Sequence, residues 1–366
     1  MSVRLITFHT PKNYGAVLQA LSLSKYLETI AEDVRIIDYN TAHLRSLYPV
    51  ISKPDSLKGM VKTILMLPTF SEKKHKHQKF SQFVSENLPM GKQYDSTDSL
   101  YEEKWNENVF VTGSDQVFNP RRIQEERQAF YLDFVPEGAK RISYAASFGV
   151  SEIPEDKILE IQQYLKKFNA ISVREQSGVE IVNHMLNYEP QLVLDPVFLN
   201  GAAFWREYAK PYPRQLEHYL FYYRLLDDRK NDQWICQLAK KKNLKLVVMT
   251  DDMLRFRADV VMRDVGPQEF LYLMDHADLV VTNAFHGVAF SLILQKQFLF
   301  SDNSALTNDR GLSLLKRYGI EKEAYIESYT DTSLIRYDDV QKKLDLDIEK
   351  SKAFLRDNLK EDKSDG

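Results

Sequence analysis

Cysteine is nearly missing from this chain: Cys236 is the only one in 366 residues. No internal disulfide can form, and no Cys/His cluster has zinc-site spacing, so a reducing cytoplasm is the compartment that fits. An excess of one charge is missing too. The 49 Lys and Arg stand against 52 Asp and Glu, for a net −3, whereas a nucleic-acid partner would need a basic face. No apolar run reaches the roughly 20 residues that span a bilayer. The start, MSVRLITFHTP, enters a strand-like run directly, without the apolar core of a secretory signal. A GxGxxG fingerprint, a short-period repeat and a low-complexity tract are all lacking.

What is there is the composition of an ordinary globular protein, 43% hydrophobic and 28% charged. The length exceeds the usual single core, so two domains are expected. Aromatics reach 12%. They would suit a protein that stacks sugars, although most must serve the core.

Apolar strands are read at Val3–Phe8, Val34–Tyr39, Val109–Thr112, Arg141–Ala145, Ala170–Val173 and Gln191–Leu194. A helix over Ala16–Leu27 makes the opening a βαβ unit whose functional turn spans residues 9–15. Beyond Pro196 the pattern restarts, with strands at Tyr219–Tyr223, Leu244–Met249, Leu279–Thr282 and Phe298–Phe300 alternating with helices. The expected fold class is α/β, with two Rossmann-like domains of parallel strands at 1–196 and 197–336. A charged helix and tail follow at 337–366, disordered from Lys360 on. Residues 44–100 read as a basic helical insertion. Over 44–88, basic residues such as Lys53, Lys58, Lys62, Lys73, Lys74, Lys76 and Lys79 greatly outnumber acidic ones. Such a segment either lies on an anionic membrane surface or turns a basic face to solvent, and the second is preferred.

The stretch ADLVVTNAFHGVAFSLILQKQFLFSD, Ala277 to Asp302, carries the sharpest signal. A strand ends at Thr282 and a helix is expected from Val288, so Asn283 to Gly287 form the connecting turn and His286 sits at a helix mouth. A helix N-terminus favours phosphate or carboxylate through its unpaired N–H groups and about half a positive charge. Gly287, without a Cβ, would let a ligand approach the backbone. His286 either caps a strand end or binds an anion and moves a proton; the setting favours the second. In Gly113-Ser114-Asp115-Gln116, at the end of another strand, Asp115 is a candidate acid, base or hydroxyl orienter, or else an Asx-turn residue. Arg174 ends a strand where it can grip an anion with two parallel hydrogen bonds, or pair with Glu175. Asn13 either contacts substrate or caps the helix after it.

Taken together, several segments resemble the polysaccharide pyruvyl transferase family: NYGAVLQALSL at 13–23, TGSDQVFNP at 112–120, SYAASFG at 143–149, SVREQSGVEIV at 172–182, LVLDPVFL at 192–199, VGPQEF at 265–270 and TNAFHGVAFSL at 282–292. Their order and spacing carry the resemblance more than any one of them. It implies a GT-B-like pair of domains with the active-site cleft between them, an acceptor side in 1–196 and a donor side in 197–336. It implies transfer of pyruvate from phosphoenolpyruvate onto a sugar, or a lipid-linked oligosaccharide, as a ketal, with phosphoenolpyruvate as donor substrate and no further cofactor. The enzyme would work in the cytoplasm, free or at the inner face of the membrane. The family's donor-site arginine and histidine fall on Arg174 and His286, with Arg310 as a third candidate. Asn13, Tyr14, Gly15, Ser114, Asn283, Phe285 and Gly287 complete the expected binding set, with His286 and Asp115 as catalytic groups. Ala284 departs from the family, which often has serine or arginine there, and Phe118 stands where tryptophan is frequent. Two alternatives share the architecture: a sugar-nucleotide glycosyltransferase, and a non-catalytic sugar-binding protein of a polysaccharide assembly complex. Without a metal cluster, transfer activity measured in excess chelator is expected to equal that in its absence.

Overall fold

A parallel strand covered by helices on both faces needs continuous apolar sequence. β4 (Val109–Gly113), β8 (Tyr219–Tyr223) and β11 (Leu279–Thr282) have it, and every residue of each is buried. The structure, a computed structural model, describes residues 1–9, 13–46, 69–123, 126–301, 309–327, 329–330 and 334–360. The chain divides into two units: Met1–Leu47 with Val84–Leu199 and Asp345–Gly366, and Tyr48–Phe83 with Asn200–Leu344.

In the first unit, β1 (Ser2–Ile6), β2 (Asp33–Tyr39), β3 (Met90–Tyr94), β4, β5 (Lys140–Ala146), β6 (Ala170–Val173) and β7 (Gln191–Leu192) form a parallel sheet in the order β3-β2-β1-β4-β5-β6-β7. The strand order reverses between β1 and β4, where Val3 pairs with Val109 and Ile6 with Thr112. The second unit repeats the scheme with β8, β9 (Lys245–Met249), β10 (Val260–Met262), β11 and β12 (Phe298–Phe300), ordered β10-β9-β8-β11-β12. Its reversal lies between β8 and β11. Two Rossmann-like parallel sheets are thus the architecture, and ligands of such sheets collect beyond the carboxyl ends of the strands at the reversal.

The two strands not read from the sequence, β3 and β10, are both sheet edges. An edge strand pairs on one side only, so MGKQY can hold Gly91 and Lys92 and still complete the ladder to β2. β3 and the helix Phe70–Asn87 both fall in the stretch expected as a helical insertion. In that helix Lys76 donates to both oxygens of Asp251 at 3.0 Å, and Lys79 to Glu269 at 2.8 and 2.9 Å. These two lysines therefore serve internal ion pairs of the second unit instead of a solvated basic face. Residues 47–68, with Lys53, Lys58 and Lys62, lie outside the described residues. Among those described, no helix is long and apolar enough to cross a membrane.

Aromatic side chains fill both cores. Phe118 is wholly buried, with its ring 4.3 Å from that of Tyr131 in a parallel stack and 5.4 Å from that of Phe148. In the second unit Trp205 is equally buried and meets Phe290 edge-on at 5.0 Å. Phe118→Ala is expected to cost about 3–5 kcal/mol in denaturant unfolding; a loss below about 1 kcal/mol would contradict this packing.

Candidate active site

The connection after β11 is shorter than the sequence suggests. The helix begins at Phe285, because the N–H groups of Gly287 and Val288 already reach back to the Ala284 carbonyl at 3.0 and 3.2 Å. His286 and Gly287 thus belong to the first helical turn, and only Asn283 and Ala284 connect. His286 and Phe285 are half-buried, their rings edge-to-face at 5.0 Å. Ala284 occupies the N-cap position, where it has no side-chain oxygen to offer the helix. His286 therefore stands at a helix mouth, as expected.

Asn283 and Gly287 have structural reasons of their own. The Asn283 amide is wholly buried and accepts from the N–H groups of Leu225 and Leu226 at 2.9 and 3.2 Å, while donating to the Leu226 carbonyl at 2.8 Å. It pins the loop after β8 with its oxygen fully used and one of its two amide hydrogens spent. A Cβ at position 287 would overlap the Thr282 hydroxyl and lie 2.7 Å from the Thr282 Cβ. The glycine is required by close packing of helix on strand. Arg310 lies half-buried in the first turn of the helix Asp309–Tyr318, which packs beside the helix of His286. The next residue, Gly311, sits against the Phe300 ring, where a Cβ would be 2.6 Å from Cε2.

In the first unit, Asn13 caps the helix Tyr14–Leu27, accepting from Gly15 and Ala16 at 3.0 and 3.3 Å. Tyr14 and Gly15 are buried in its first turn. Ser114 and Asp115 follow β4 with φ of 24° and 60°, the left-handed region that costs a non-glycine residue about 1–3 kcal/mol. Neighbouring backbone offsets this: Ser114 N–H donates to the Tyr144 carbonyl at 2.8 Å, and the Asp115 carbonyl accepts from Val117 and Ser147 at 2.8 and 3.0 Å. The twist turns the Asp115 side chain into a buried position, where Oδ2 finds no hydrogen-bond partner among the described residues.

Arg174 is more deeply placed than expected. Its side chain is 2% exposed; Nε donates to Glu175 at 2.9 Å and Nη1 to Asp195 at 2.6 Å. Burial by itself would lower its pKa, but the carboxylates of Glu175, Asp195 and Asp115 hold it above the ordinary guanidinium value. Its charge is already compensated, so the expected open grip on an anion is corrected to a guanidinium engaged within its own unit. The sequence reading passed over Asp195, whose Oδ2 also accepts from the Ser114 hydroxyl at 3.1 Å. It also passed over Arg224, buried at the end of β8 and bonded by Nε and Nη2 to the two oxygens of Asp232 at 3.0 and 3.1 Å. The available signal was a charged residue directly after an all-apolar strand.

The predicted residues thus gather at two carboxyl edges, Ser114, Asp115 and Arg174 in one unit and Asn283 to Gly287 in the other. Two cavities lie elsewhere: one of about 310 Å3 beside Arg4, Lys92 and Trp105, another of about 340 Å3 beside Leu244, Phe298 and Tyr329. Neither is lined by a predicted site residue. Among the described residues, no group of three or more His, Cys, Asp or Glu could hold a metal ion.

The chain belongs to the polysaccharide pyruvyl transferase family, which it matches over residues 13–304. Among solved structures it is similar to UDP-GlcNAc 2-epimerase from Methanocaldococcus jannaschii, at 12% identity and a TM-score of 0.46, covering 95% of this chain and 92% of that one. The same enzyme from Neisseria meningitidis, bound to UDP-GlcNAc, gives 10% identity and 0.45 over 96% and 99%. The E. coli ADP-heptose lps heptosyltransferase II gives 11% and 0.37 over 96% and 100%. No curated protein sequence matches.

Gly287→Ala is expected to destabilise the second unit by about 1–3 kcal/mol, the usual cost of overpacking. Thr282→Ala, which removes the hydroxyl it would strike, should recover part of that loss in a double-variant unfolding experiment.

Proposed function

We propose that this protein transfers the pyruvyl group of phosphoenolpyruvate to two hydroxyls of a sugar, free or lipid-linked, forming a cyclic ketal and releasing phosphate. The observation that carries the choice of donor is the use of Asn283. In a nucleotide-binding Rossmann unit the first βα loop offers its N–H groups to the phosphates. Here those of Leu225 and Leu226 are taken by the Asn283 side chain. The loop at Gly266 is likewise covered, since a Cβ there would lie 2.9 Å from that of Lys79. A compact anion at the helix mouth of His286 suits this unit better than a nucleotide, which disfavours the glycosyltransferase alternative.

In the proposed reaction the enol carbon of the donor takes up a proton, from His286 or, where His286 only anchors the phosphate, from solvent. Asp115, whose Oδ2 has hydrogen-bonding capacity to spare, orients one sugar hydroxyl and takes its proton as the oxygen bonds to C2. The C2–O bond to phosphate then breaks, and a second hydroxyl closes the ketal with loss of its proton. Atoms and charge balance without any redox partner. Arg310, beside the His286 helix, is proposed to face the donor's negative charge.

Three outcomes test this. Phosphoenolpyruvate, and not a panel of sugar nucleotides, should raise the melting temperature; stabilisation by a sugar nucleotide alone would overturn the donor assignment. Phosphate should be released when phosphoenolpyruvate is combined with a panel of sugar acceptors; none with any acceptor favours the non-catalytic alternative. His286→Ala should lower that release by about two to four orders of magnitude while the protein stays folded by circular dichroism.

A further inference from the structure

We infer that Asp195 is a positioning residue: it holds the Arg174 guanidinium off Asp115, so that one Asp115 oxygen stays open for the acceptor hydroxyl. This rests on the acceptor role proposed for Asp115. Asp195 is completely buried and binds three groups at once. Oδ1 accepts from Val197 N–H at 3.1 Å, and Oδ2 accepts from Arg174 Nη1 at 2.6 Å and from Ser114 Oγ at 3.1 Å. A single carboxylate therefore ties the end of β4 to the end of β6 across the intervening β5.

The guanidinium is a rigid planar fork, so fixing Nε on Glu175 and Nη1 on Asp195 fixes its plane. Stripped of Asp195, the guanidinium keeps Glu175, but its buried Nη1 loses its acceptor and must find another, because an unpaired buried donor is costly. Asp115 follows Ser114, whose hydroxyl shares Asp195 Oδ2 with Arg174 Nη1, and its own Oδ2 has no hydrogen-bond partner among the described residues. A pair between them would consume the acceptor that the hydroxyl needs. Asp195 prevents this by outcompeting Asp115 for the arginine, while its bond from Ser114 holds the left-handed turn that aims Asp115.

A purely structural ion pair would behave differently, since its loss would lower stability without redirecting Arg174. The experiment compares Asp195→Ala, or Asp195→Ser should that not fold, with the isosteric Asp195→Asn. In a crystal structure of the Ala or Ser variant, Arg174 should bond to Asp115, and acceptor-dependent phosphate release should fall about a hundredfold. Asp195→Asn, which keeps an acceptor oxygen, should recover much of that loss. An Arg174 that leaves Asp115 unbonded, or undiminished turnover with Arg174 seated on Asp115, overturns the inference. A wild-type protein that releases no phosphate from phosphoenolpyruvate refutes the proposed reaction instead, while the position of Arg174 in the variant still decides the role of Asp195.

Discussion

Burying a parallel sheet on both faces confines polar side chains to the strand ends, and everything else in this molecule follows from how those ends are satisfied. Inside each sheet the ladders use the backbone groups, and apolar side chains meet the covering helices. At the carboxyl edge the ladders stop while burial continues, so each emerging donor or acceptor must find a partner or cost about 1–3 kcal/mol. In the first unit the Asp195 carboxylate receives Ser114, Arg174 and the Val197 N–H. In the second, the Asn283 amide receives Leu225 and Leu226 and donates to Leu226. One is charged and the other neutral, but each closes a strand end with a side chain from another strand's loop.

That closure sorts the strand-end residues by what capacity they retain. The Asn283 amide oxygen is saturated, and the Arg174 charge is balanced by carboxylates. Asp115 differs, since its backbone carbonyl is used but one side-chain oxygen is not. A buried acceptor left open beside consecutive residues in the left-handed region is strain retained where a stability-optimised turn would have relieved it. His286, in a helical turn that its N-cap alanine cannot cap, occupies the comparable position in the second unit.

Steric contact sets the geometry as firmly as hydrogen bonding. Thr282 and Phe300, at the ends of β11 and β12, each press a helix through a missing Cβ, at Gly287 and Gly311. The helix bearing His286 and the helix bearing Arg310 are thereby seated on adjacent strands of one sheet. Interiors packed at crystal-like density transmit such contacts with little slack. A glycine that resembles a ligand-binding device by its place in a motif can therefore be a packing device by its neighbours.

The sequence by itself determined the α/β class, the central strands and the family. Uninterrupted apolar runs such as YLFYY and LVVT specify buried parallel strands, and motif order survives where single motifs are ambiguous. It marked Asp115 and His286 as strand-end residues through the same boundaries. It did not show the edge strands β3 and β10, because an edge need not be apolar, nor the true start of the His286 helix, because Phe-His-Gly is neutral between turn and helix. Only the tertiary structure decided that Arg174 is held by Glu175 and Asp195, that Asn283 spends its amide on the loop after β8, and that Gly287 yields its Cβ space to Thr282. These outcomes depend on which strand lies beside which. Residues 21 positions apart for Arg174 and Asp195, or 58 for Asn283 and Leu225, become partners only when the sheets assemble.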